Sequence, residues 1–60
     1  MKGDMKMKEE ILQRLEGMTK EEKIDYLEEW RFQIDMKDRW TTEDSERYSI
    51  LGKIIKELEK

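Results

Sequence analysis

No proline and no valine occur in this chain of 60 residues, and only three glycines do, while Glu, Lys, Leu, Met and Arg are abundant. Proline and glycine are the residues that interrupt helices, and unbranched side chains lose the least freedom inside them. Strands have little to be built from, and the composition predicts an all-α protein.

A single small domain, residues 1–60, is the expected organisation. A domain of this size buries only about 60% of the surface its unfolded chain exposes, so it needs help from disulfides, a metal or a partner chain. Without Cys or His the first is impossible and zinc-type sites lose their preferred ligands. Oligomerisation remains. Leu, Ile and Phe together are few enough for disorder to be considered, but the net charge is only −3 and the apolar residues are periodic.

Three helices follow from that periodicity. The first is expected over about residues 5–16, with Met7, Ile11, Leu15 and Met18 stepping by three or four and Leu12 widening the stripe. Asp4 is its expected N-cap after a frayed start, and Gly17 ends it. Thr19-Lys20-Glu21-Glu22 reads as a capping box, so a second helix starts at Lys20 and is expected to reach residue 39. Its main stripe carries Ile24, Leu27, Trp30 and Ile34, with Tyr26 at the margin. Phe32 and Met36 fall on nearly the opposite side, and a helix apolar on two sides needs cover on both. The first helix or a second copy of the chain could supply that cover. Thr41 or Thr42 caps a third helix over about residues 42–58, whose seam is Tyr48, Leu51, Ile55 and Leu58 with Ile54 beside it. The two long helices, each expected to span about 27–30 Å, predict an antiparallel hairpin that dimerises into a four-helix-type bundle.

Chemistry is hard to place on this chain. Nucleophilic catalysis needs a base that titrates near neutrality, and Ser45 and Ser49 have none in reach of the sequence. Carboxylate pairs such as Glu9/Glu10, Glu21/Asp25, Asp35/Asp38 and Glu43/Asp44 lack the closed apolar pocket that raises a pKa. Interleaved cations (Glu10/Arg14, Arg31/Asp35, Asp35/Arg39, Glu43/Arg47, Lys53/Glu57) predict a surface laced with salt bridges instead. The glycines are too far apart for a phosphate loop, and Gly52 interrupts a helix either as a tolerated surface residue or because another helix approaches there. Lys2, Lys6 and Lys8 form a small basic start that reads as solvated. No catalytic, cofactor or metal site is expected.

A sequence pI near 5.0 disfavours binding to nucleic acid or anionic lipid. No apolar run is long enough to span a bilayer and no signal-type stretch is seen, so a cytoplasmic protein is expected, with no membrane or small-molecule partner. Aromatics, Met and Arg are enriched at interface centres. Phe32, Met36 and Trp40, with Arg31 and Arg39, are therefore the candidate partner-binding residues, the alternative being burial under the first helix. Trp30 is expected in the core.

The stretch from Met18 to Phe32, continuing through Met36-Lys37-Asp38-Arg39-Trp40 and a Thr/Ser-Glu-Asp cap, resembles small uncharacterised helical-hairpin proteins of Gram-positive bacteria and their phages. The resemblance covers about two thirds of the chain and implies a fold, with no activity to transfer. Sporulation-type aspartyl-phosphate phosphatases are also tiny acidic hairpins, but their Ser-Gln-x-Leu-Asp signature is missing: Ser49-Ile50-Leu51-Gly52-Lys53 lacks both the Gln and the Asp. The expected function is a non-enzymatic regulator or adaptor that binds another protein, or itself as a homodimer. The alternative is an acidic phage-type inhibitor that mimics nucleic acid or blocks a host protein. Mimicry needs a face dominated by carboxylates, and along the chain Lys and Arg are interspersed in both long helices.

Overall fold

The computed structural model describes residues 2–60, with side chains from residue 6 onward. Among them all regular structure is helical: α1 (Lys2–Arg14), α2 (Lys20–Asp35) and α3 (Thr42–Leu58). The first helix starts at Lys2, earlier than the expected residue 5, so Gly3 and Asp4 are themselves helical; the side chains of Asp4, the expected cap, and of Lys2, expected in the basic start, lie outside the described residues. At its other end the ladder tightens. Leu15 N donates to Leu12 O (3.0 Å) and Glu16 N to Gln13 O (3.3 Å), three-residue bonds that close the last turn before Gly17 at φ +83°.

Both later helices open on reciprocal caps. Thr19 Oγ1 accepts from Glu22 N (3.2 Å) while Thr19 N donates to Glu22 Oε1 (3.0 Å). Thr41, rather than Thr42, does the same with Asp44: Asp44 N donates to Thr41 Oγ1 (3.1 Å) and Thr41 N to Asp44 Oδ2 (3.1 Å). Such caps are worth about 1 kcal/mol each. The second helix stops at Asp35, short of the expected residue 39, because its terminal carbonyls find other donors. Lys37 N (3.0 Å) and the Trp40 indole Nε1 (2.7 Å) both donate to Ile34 O. The resulting turn brings Lys37 Nζ within 2.8 Å of Asp44 Oδ2.

The core is formed by Ile11 and Leu15 from α1 and its end, Leu27 and Ile34 from α2, and Leu51, Ile54 and Ile55 from α3, all buried. Helix α3 is the shared support: α2 packs along it, and α1 packs on it as well. Arg14 of α1 and Arg47 of α3 flank the half-buried Trp30 of α2, with their Cζ atoms 5.4 and 5.6 Å from its ring centroid. Trp30 thus joins all three helices, at the margin of the core rather than within it.

That arrangement corrects the expected salt-bridge lacing. Among the described residues the ion pair within 4.0 Å is Lys37–Asp44, across the turn, and none of the five expected pairs along the helices is closed. Three arginines instead lie over aromatic rings, the third being Arg31, whose Cζ is 4.5 Å from the Tyr48 centroid. A guanidinium is planar and weakly hydrated, so it covers a ring at little desolvation cost. The same Arg31 settles the question of Gly52. A Cβ there would meet Arg31 Cζ at 3.7 Å, an ordinary contact, so no neighbouring backbone demands a glycine.

Candidate partner-binding face

The five residues expected to form a patch separate into two pairs and a lone Arg39. Trp40 is 42% exposed, but its indole N–H is committed to Ile34 O and its ring lies 4.9 Å from that of Tyr48. Arg31 stacks on the same Tyr48, with its Nε buried and unbonded among the described residues. These two side chains fasten the turn and α2 to α3. Arg39 is exposed in the turn. Phe32 and Met36 form the second pair, and they remain 58% and 68% exposed. The first helix does not cover them.

Position around the axis explains why. At 100° per residue, Phe32 and Met36 each lie about 160° from the buried Ile34, on the outward side of α2. They are four residues apart, so their side chains are neighbours one turn apart. The same geometry sorts the charges. Lys20, Lys23 and Arg31 all fall within about 60° of Ile34, whereas Asp35 lies about 100° away and Glu21, Glu22, Asp25, Glu28 and Glu29 all about 120° or more. Those five carboxylates are exposed. Among the described residues Asp25, Glu28 and Glu29 have no ion-pair partner. The outward face of α2 is therefore two apolar side chains at its C-terminal end preceded by two turns of acid with no base.

A groove of about 400 Å³ borders this face, lined by Met18, Glu22, Asp25, Tyr26 and Glu29. It joins an apolar floor of methionine and tyrosine to three carboxylates, a combination suited to the stem and head of a Lys or Arg side chain.

Two features escaped the sequence. One is Asp44, the buried charged residue of the described structure. The Lys37 hydrogen bond first, and then those from Thr41, hold its pKa below the usual carboxylate value against the opposing effect of burial. This stabilises the turn and is the wrong direction for a general acid. The other is the charge segregation on α2, hidden by reading the signs in chain order.

Ser45 and Ser49 are exposed on α3. Among the described residues no cluster of three or more acidic side chains is arranged to hold a metal ion, and no helix is long and apolar enough to cross a membrane. No family model, no curated protein and no solved structure matches the chain.

Proposed function

We propose that this protein is a non-enzymatic interaction module, a small regulator or adaptor, built as an antiparallel α2/α3 hairpin propped by α1 and docking another protein through the outward face of α2. The observation that carries this reading is the pair Phe32 and Met36, held open on the side of α2 opposite its buried residues. Contact pairs support the antiparallel hairpin: Lys37 meets Asp44 and Arg31 meets Tyr48, so positions descend in one helix as they rise in the other. Large exposed apolar side chains beside a polar rim are what interface centres present, and anchors one turn apart suit a helix lying in a groove.

The test is comparative capture from the source cell's extract with wild-type protein and the double variant F32S/M36S, with far-UV circular dichroism on both. Loss of a saturable protein partner at unchanged helicity supports the reading. Equal capture by both proteins removes α2's outward face from it.

The acidic-inhibitor reading gains from the carboxylates gathered on α2, which meet part of the requirement for one acidic face. It makes the opposite prediction for the same variant, because an electrostatic mimic would keep its partner without Phe32 and Met36 and lose it on charge reversal of Asp25 and Glu29.

A further inference from the structure

Resting on that reading of α2, we infer that the occupant of its outward face is a basic protein surface: an apolar pocket for Phe32 and Met36, with a Lys or Arg beside it that enters the groove between Asp25, Glu29 and Tyr26. Charge complementarity fixes the sign of the partner. The face carries exposed carboxylates and no cation, and the groove along it is lined by Glu22, Asp25 and Glu29. Salt bridges to groups already satisfied would add little, but Asp25, Glu28 and Glu29 are unpaired among the described residues.

A second copy of the chain fits this face poorly. Two such helices overlapping antiparallel along their full length cross between residues 27 and 28, which puts Glu28 level with residue 27 and Asp25 level with residue 30 of the other copy, within one residue of its Glu28 and Glu29, so carboxylates of one copy face carboxylates of the other. Like charges at an interface oppose association. The apolar area is also small. Phe32 and Met36, at 58% and 68% exposure, offer roughly 250 Å² between them, taking about 200 Å² for a side chain of this size. Two copies would bury roughly 500 Å² of it, below the roughly 700 Å² of apolar surface that a stable interface of about 1,200 Å² in total contains at about 57% apolar. A basic partner instead adds attraction over the acidic two thirds of the helix and speeds encounter.

The probes are three synthetic peptides of equal length: an amphipathic Leu/Lys helix, its Leu/Glu counterpart, and a Lys/Ser peptide matched to the first in charge. Each is titrated into the isotopically labelled full chain and followed by amide chemical shifts, with sedimentation equilibrium of the chain alone. We expect saturable binding of the Leu/Lys peptide with shifts concentrated over residues 22–36. The Lys/Ser peptide should bind at least tenfold more weakly, and the Leu/Glu peptide should give no saturation. F32S/M36S and D25K/E29K should each weaken Leu/Lys binding at least tenfold while helicity is unchanged. Equal binding of the Leu/Lys and Lys/Ser peptides, tight binding of Leu/Glu, or shifts centred on α1 or α3 would overturn the inference. A dimer abolished by F32S/M36S would also overturn it, yet would leave α2's outward face as a protein-binding surface. Shifts centred elsewhere in a chain that stays monomeric would remove both.

Discussion

Two glycines should respond to the same substitution with opposite signs. Gly52 lies inside α3, where glycine costs about 0.8–1.0 kcal/mol relative to alanine. The nearest atoms to the methyl added by Gly52→Ala are those of the Arg31 guanidinium, at the ordinary contact distances of 3.7–3.9 Å, so no steric cost offsets that gain. Gly17 has more room, with nothing within 4 Å of its notional Cβ, but its φ is +83°. A side chain there costs about 1–2 kcal/mol, because Cβ is crowded in the left-handed conformation. Gly52→Ala is therefore expected to stabilise by about 1 kcal/mol and Gly17→Ala to destabilise by about 1 kcal/mol, partly offset by the stiffer unfolded chain. For a domain of this size that is a Tm shift of about 4–8 °C in each direction. Urea and thermal unfolding followed at 222 nm give both numbers, with an unchanged urea slope showing that stability itself has moved. Destabilisation by Gly52→Ala would refute the contact geometry between Arg31 and α3. Stabilisation by Gly17→Ala would refute the left-handed turn after α1.

Other substitutions probe the turn and the face. F32S/M36S removes only exposed side chains and should change unfolding free energy by no more than about 0.5 kcal/mol in urea titrations. Trp40→Phe keeps a ring against Tyr48 but loses the bond to Ile34 O, so it should cost about 1 kcal/mol and cannot serve as a clean test of partner binding. The pKa of Asp44 is lower folded than unfolded, so its contribution is complete above the unfolded value of about 3.9 and is lost as pH falls through the lower folded value. Asp44→Asn should be less stable than wild type at neutral pH and should show a flatter loss of stability in acid, measured by urea unfolding at a series of pH values.

What the sequence disclosed was local. A threonine followed three residues later by an acidic side chain places a helix start without reference to the rest of the chain, as at Thr19; for the third helix the sequence left Thr41 and Thr42 open, and the bond pair with Asp44 makes Thr41 the cap. Gly17 is equally local, as are the stripe residues Leu27, Ile34, Leu51 and Ile55, which periodicity puts in the core. The premature end of α2 depends on Trp40 folding back six residues to Ile34, and the burial of Asp44 on Lys37 reaching across the turn. Both require knowing how two helices meet. Arginines near carboxylates in sequence went to aromatic rings in space because Trp30 and Tyr48 become accessible only once the helices pack. The acidic side of α2 was within reach of a helical projection, but Lys20, Lys23 and Arg31 alternate with the acids along the chain and mask it. Of the expected patch, Phe32 and Met36 stand free, whereas Trp40 and Arg31 are tied into the fold.

Whether α2's outward face is held open for a basic partner or spent on a second copy is decided by sedimentation equilibrium of the wild-type chain from micromolar to millimolar concentration. We predict a mass of 7.4 kDa throughout, with far-UV circular dichroism of a helical protein at every concentration. A mass that rises to twice that value, and returns to 7.4 kDa in F32S/M36S, would contradict that prediction.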